Sequence, residues 1–345
     1  MKKYIILMLL LAGCQNEEKP AEEPTEEPKP SSQQPDGRIA SDLNIPWQIA
    51  KNGDELIVTE REGTIQSIKN QQKTALKLSL NKPIVATGES GLLGFVLHPD
   101  DADKAFLYYT YEDNGLKNRV VTVTRDGNAW SEDAALLDDI TGGVTHNGGR
   151  LELSPDNQLF ITVGDGGNAD LAQDKEALAG KILKMNLDGS VPDDNPFDNY
   201  IYSYGHRNPQ GIVFKDDKIY AVEHGNSNHD EINEIQKGHN YGWPVIEGDE
   251  QQDGMETPIY ETGDSTLAPS GIDIKGDVLY IAALRGESIQ RYDIESGELT
   301  PLVTDQGRIR DVFIDGDVLY YITNNTDGRG NPDSTDDQLI KITLK

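Results

Sequence analysis

A single cysteine, Cys14, occurs in 345 residues, which excludes a disulfide framework and any cysteine-based zinc or haem attachment site. Basic residues are also scarce: 31 Lys and Arg stand against 60 Asp and Glu, a formal net charge of −29. A nucleic-acid backbone would be repelled, so no nucleic-acid partner is expected. Aromatic residues make up only 7%. The apolar run Tyr4 to Leu11 is too short for a comfortable membrane span. What is plentiful is glycine, 34 residues, which suits many turns and short strands better than long helices.

The position of the cysteine carries information. Lys2 and Lys3 form a basic start, the apolar run follows, and Leu11-Ala12-Gly13-Cys14 then matches the bacterial lipobox. Its small residues allow cleavage before Cys14, whose thiol takes the lipid. Residues 1–13 are therefore expected to be a lipoprotein signal peptide. From Glu17 to Pro35 the chain is Glu, Pro, Lys, Ser and Gln without apolar periodicity, so it cannot bury enough surface to fold. Residues 14–37 read as the lipidated cysteine and an extended tether. The expected location is extracytoplasmic, held to the membrane by the lipid anchor only.

Residues 38–345 carry a repeat. An apolar segment, a polar turn and a second strand rich in Tyr, Ile, Val and Leu recur six times, beginning at Pro46, Gly94, Arg150, Gly211, Gly271 and Asp311. The turns have hairpin chemistry: Asn52-Gly53, Asp156-Asn157, Asp216-Asp217, Gly276-Asp277 and Gly316-Asp317. A third strand often follows, as in Gly180 to Met185. Repeats of about 50 residues built from hairpins predict an all-β, six-bladed β-propeller of four-stranded antiparallel sheets. A pair of β-sandwiches is the alternative, but it gives similar hairpins no reason to recur. The strand Leu339 to Leu344 is expected to pair with the segment near Arg38 to Asn44, closing the ring and hiding sheet edges. Leu171 to Leu178 is the only predicted helix. The loop Gly164-Asp165-Gly166-Gly167 is read as a blade turn near the channel mouth, because its acids oppose a phosphate and no long helix follows.

Loops at one mouth of such a ring converge. The polar groups at blade entrances are Glu89, His146, Arg207, Asn208, Arg285, Arg308 and Arg310. Arg308 and Arg310 are one residue apart, so on a strand both point to one side. Two cations on one face of an acidic protein suggest a polyanionic ligand. A planar guanidinium at Arg207 recognises carboxylate or quinone oxygens, and the Asn208 amide offers donor and acceptor. The imidazole of His146 can take a proton from a hydroxyl near neutral pH. His224, His229 and Asp230 could alternatively hold zinc.

These residues lie in motifs: Gly91-Leu92-Leu93-Gly94, His146-Asn147-Gly148-Gly149-Arg150-Leu151, Gly205-His206-Arg207-Asn208-Pro209-Gln210-Gly211, Asp230-Glu231-Ile232-Asn233 with Asn240-Tyr241-Gly242-Trp243-Pro244, and Arg308-Ile309-Arg310-Asp311-Val312. In this order the chain resembles the glucose/sorbosone dehydrogenase family, soluble quinoproteins that include the aldose sugar dehydrogenases, over about Ile45 to Thr343. The resemblance implies pyrroloquinoline quinone (PQQ) and Ca2+ as cofactors and an aldose as substrate. It implies His146 as general base, with Arg207 also at the reacting centre. Glu89, Arg207, Asn208, Arg285, Arg308 and Arg310 would face the quinone. The carbonyls of Gly225 and Asn226 would hold the calcium beside it, and Glu231 with the Tyr241 carbonyl a second calcium. Two positions depart from the pattern. Thr145 stands where one branch of the family has an acid before the base. Glu89 stands where relatives often have Gln, and a carboxylate facing a tricarboxylate weakens binding unless an arginine neutralises it.

The implied reaction oxidises an aldose to its lactone and passes electrons to an external acceptor, by a monomer or homodimer. A calcium-dependent propeller lactonase or esterase, and a non-catalytic surface-tethered binding propeller, are the alternatives.

Overall fold

The computed structural model describes Met1 and residues 37–344. Cys14, the signal peptide and the tether lie outside the described residues, apart from Met1 and Gly37. The folded unit is all-β. Antiparallel four-stranded meanders follow one another over residues 46–79, 92–141, 151–204, 209–261 and 269–303. A sixth takes three strands from residues 309–343 and Gly37–Ala40 as its outer strand. There, Gly37 pairs with Lys341 and Arg38 with Ile340, so the start of the domain is zipped to its end as expected. The first two meanders join into one eight-stranded sheet, because Lys77–Ser79 runs parallel to Ala129–Ser131.

Period-2 apolar patterning and the turn residues explain the hairpins. The strand Pro209–Lys215 returns as Lys218–Glu223 after Asp216-Asp217, with Asp216 at φ 52°. Gly276 at φ 60° and Gly316 at φ 61° do the same for Pro269–Lys275 and Ile309–Asp315.

The core lies between sheets. Leu92, Phe95 and Trp130 of the second meander pack with Ile57 and Ile65 of the first. Leu151 and Leu183 of the third meet Phe106 and Tyr108 of the second. Phe160 meets Ile212 and Ala221 of the fourth, Val222 meets Ile281 of the fifth, and Ile289 meets Leu319 of the sixth. Ile322 and Leu339 then pack on Ile49 and Val58 of the first. The clusters form a closed cycle, a propeller-like arrangement in which burying each sheet face requires both neighbours.

The expected helix at 171–178 is not formed. One 3-10 turn, Ala169–Ala172, stands there, followed by turns. The buried ammonium of Lys181 donates to the carbonyls of Leu171 at 2.7 Å, Ala172 at 3.1 Å and Ala179 at 2.7 Å. The carbonyls of Leu171 and Ala172 would otherwise accept the helix's own amides.

Candidate active site

The inner strands of successive sheets begin at the same end, and the residues just before them line a cavity of about 390 Å3. Glu89, His146, Arg207, Gly225, Asn226, Arg285, Arg308 and Arg310 all border it, which brings together residues more than 200 positions apart in sequence as expected. Asn208 does not. It is fully buried, and its Oδ1 accepts the Gly148 amide at 3.1 Å behind the His146 loop.

His146 sits at φ 57°, in a loop packed so tightly that a Cβ added to Gly164 would lie 2.1 Å from the His146 carbonyl oxygen. Its Nδ1 is 2.8 Å from Asp165 Oδ1. A carboxylate accepts, so Nδ1 carries the proton and Nε2 is left as the basic nitrogen on the cavity side. Asp165 also accepts the Gly167 amide at 2.8 Å and the Trp243 indole N–H at 2.9 Å. Burial alone would raise this carboxyl, but those bonds outweigh it and hold it below its ordinary range. Asp165, not residue 145, therefore orients the imidazole. The Gly164–Gly167 loop, read from sequence as a plain turn, supplies it.

Glu89 is half-buried in the cavity wall with its charge answered. Arg329 donates to Oε1 at 2.9 Å, and the His146 amide donates to Oε2 at 3.2 Å. Burial pushes its carboxyl up, but His224, Arg329 and the His146 amide bring it down to about 2. Arg329 was not singled out in the sequence. It lies in the turn after the strand Val318–Thr323, without a motif of its own.

Arg308 is paired with buried Asp327 at 2.9 Å. Arg310 is buried, and its Nη1 donates to Gln210 Oε1 at 2.7 Å and Ser270 Oγ at 3.2 Å. Arg207 donates to the carbonyls of His224 at 3.3 Å and Asn226 at 3.4 Å. Among the described residues, Arg207, Arg285 and Arg310 make no ion pair. The Nε atoms of Arg207, Arg308 and Arg310, and Asn208 Nδ2, are buried without a partner, and so is His224 Nε2. Apart from that imidazole nitrogen, all are donors. Unmatched buried donors and unpaired cations call for an acceptor-rich anion.

The turn at Gly225 and Asn226 is tied from both sides. Asp230 accepts the Gly225 amide at 3.0 Å, and Glu247 accepts that of Asn226. The other Asp230 oxygen takes the Leu267 and Ala268 amides at 2.7 and 2.8 Å. Asp230, which also accepts the Thr266 hydroxyl at 2.8 Å, is thus fully committed, and His229 pairs with Glu261 at 2.9 Å. The zinc alternative is not supported: Asp230 and His229 are taken by these other partners, and the two form no metal-holding cluster with His224.

Glu231 and Tyr241 do meet. With Glu223 and Glu247 they line a small cavity of about 10 Å3, under the loop that carries Trp243. Burial and the neighbouring Glu223 push the Glu231 carboxyl up to about 8. A carboxylate so placed gains from a hard cation.

The propeller-like ring thus carries, at one end, a cation-lined cavity suited to an anion and a carboxylate-oriented imidazole. Residues 43–339 match the Glucose / Sorbosone dehydrogenase family, and the chain belongs to that family. It is 30% identical over 332 residues to the aldose sugar dehydrogenase YliI of Escherichia coli K12, covering 83% of this chain and 89% of that one. It is 32% identical over 284 residues to quinoprotein glucose dehydrogenase B of Acinetobacter calcoaceticus, covering 70% of this chain but only 59% of the relative's length. The PQQ-bound aldose sugar dehydrogenase of Streptomyces coelicolor superposes with a TM-score of 0.84 at 35% identity, over 90% of this chain and 98% of that one.

Proposed function

We propose that this protein is a six-bladed propeller that oxidises an aldose to its lactone, using pyrroloquinoline quinone and calcium. The observation that carries the reading is the His146–Asp165 pair, which opens onto a cavity where Arg207, Arg285 and Arg310 have no carboxylate partner. Three unpaired guanidiniums suit the three carboxylates of the quinone, and the unpartnered Nε of Arg308 adds to them. When bound, the quinone supplies the two-electron oxidant that takes hydride from the sugar carbon.

The chain's own residues do the rest. His146 Nε2 accepts the proton of the anomeric hydroxyl, and Asp165 stabilises the imidazolium that results. Arg207 holds negative charge that develops beside the sugar. Glu89, neutralised by Arg329, holds the His146 amide and does not oppose the cofactor. The carbonyls of Gly225 and Asn226 offer hard oxygen ligands for calcium. They are too few alone and would be completed by the cofactor's own oxygens and water. Glu231, the Tyr241 carbonyl and their acidic neighbours suit a second calcium.

Electrons would leave to an external acceptor. Cleavage before Cys14 and lipidation there would place residues 38–345, as the catalytic domain of a monomer or homodimer, outside the cell on the tether 14–37.

Reconstitution tests the reading. Metal-free protein is given calcium and pyrroloquinoline quinone, and quinone absorbance and dye reduction are followed with a panel of aldoses. Sugar-dependent reduction, lost in His146→Ala and Arg207→Ala, is the expected result. Failure to bind the quinone at saturating calcium sinks it, and a lactone hydrolysis assay then examines the hydrolase reading.

A further inference from the structure

A second cavity, of about 330 Å3, opens between the third and fourth sheets. It lies at the other end of the strands from the first. His146 and Arg207 precede the inner strands Leu151–Leu153 and Pro209–Lys215, whereas this groove is lined by the turns that follow them, at Asp156, Asp216 and Asp217. A strand of seven residues separates two such ends by roughly 20 Å.

One wall is aromatic. Phe160 is buried, and Tyr202 and Phe214 each meet it edge-on, with centroids 5.0 Å away. Those two rings are half-buried and border the groove. The polar lining falls into two groups. Lys184 and Lys237 both hold Asp194, at 2.8 and 3.1 Å, and Gln158 donates to Asn186 at 3.2 Å. Asp216 and Asp217 make no ion pair or side-chain hydrogen bond among the described residues, and neither does the Tyr202 hydroxyl. What remains open is therefore rich in acceptors and negatively charged, beside the half-buried rings of Phe214 and of Tyr202, over which the Lys184 ammonium lies at 5.9 Å.

Such a surface disfavours anions. It requires a ligand that brings hydrogen-bond donors on its edge and an apolar face for the rings. A pyranose has both, and an amino group would add a cation for the free carboxylates of Asp216 and Asp217. We propose that this groove binds a neutral or amino-bearing pyranose, at a site separate from the cavity that holds His146. The site does not depend on the proposed oxidation; it would hold a sugar unit of a longer saccharide, or of a surface carrying one, while the other end of the ring acts.

The test is calorimetric titration and saturation-transfer NMR of the full protein without quinone, using glucose, glucosamine and glucuronate. Glucosamine is expected to bind most tightly, then glucose, with glucuronate weakest. Phe214→Ala should lower glucosamine affinity at least tenfold. The double change Asp216→Asn with Asp217→Asn leaves the core untouched and should abolish the preference of glucosamine over glucose. His146→Ala should change neither. Binding that is lost in His146→Ala but kept in the groove variants would assign it to the first cavity and overturn the proposal, as would the absence of glucosamine binding. Groove binding in a protein that oxidises no sugar would leave this site standing and sink only the dehydrogenase reading.

Discussion

Arg329 and Glu89 lie 240 residues apart in the chain and form an ion pair of 2.9 Å in the cavity wall. The pair answers the difficulty that Glu89 poses for an anionic cofactor, since the carboxylate is neutralised from across the ring. Removing the cation alone should therefore harm quinone binding, and removing both charges should not. Arg329→Ala is expected to weaken quinone affinity about fivefold, roughly 1 kcal/mol for a half-exposed pair. Glu89→Gln in the same chain should restore it. Titration of quinone absorbance in the single and double variants checks this; additive losses would show that the two side chains act independently.

The base should be sensitive to its partners in a graded way. Asp165→Asn removes the carboxylate that fixes the His146 tautomer and should lower kcat roughly 10^2–10^4-fold with little change in KM. Trp243→Phe removes one donor to Asp165, 78 positions away in the chain, and keeps the ring. It should lower kcat about tenfold and move the acid limb of the kcat/KM profile upward, because a carboxylate that loses a hydrogen bond is more easily protonated. An unchanged pH profile in Trp243→Phe would leave the indole a purely packing role.

The contrast between Asp216 and Asp165 shows what was legible. Asp216 sits in a turn whose meaning is local: a short polar residue between two period-2 strands forms a hairpin wherever it occurs. The hairpins, the closing pair near Arg38 and most of the cavity lining were accordingly readable in the chain. Asp165 and Arg329 take their meaning from partners in other sheets, and nothing nearby in sequence marks them. Asp165 even sits in a glycine-rich turn of ordinary appearance. The short helix expected at 171–178 failed for the same reason, since the Lys181 ammonium that takes its carbonyls belongs to the next strand.

Stability should respond to pH through Glu152. Burial, then the charge of Asp273, pushes its folded-state carboxyl from 4.5 up to about 8. The folded protein thus keeps a proton that the unfolded chain loses above pH 4.5. Its contribution is present below that pH and is lost as pH rises through about 8. Glu152→Gln cannot titrate. It should leave Tm near the wild-type value at pH 4 and raise it at pH 8, as read by thermal melts in metal-free buffer. An equal shift at both values would mean that the carboxyl is not held protonated.

The second calcium site makes a prediction that is independent of sugar turnover. Glu231 is half-buried beside Glu223 and Glu247, and burial and Glu223 push its carboxyl up, so without metal its ionised form is costly there. A cation there would relieve it and stabilise the native state by mass action, about 2.7 kcal/mol when calcium is at 100 times its Kd. Calcium should therefore raise the Tm of the wild-type protein in a concentration-dependent way. Glu231→Gln should be at least as stable as the wild type when metal is removed, because a neutral amide replaces a carboxyl that is costly to ionise, yet it should lose most of the calcium-induced rise. Thermal melts across a calcium series in both proteins decide it. A rise of equal size in Glu231→Gln would place the stabilising ion elsewhere, with Gly225 and Asn226 the next ligands to change.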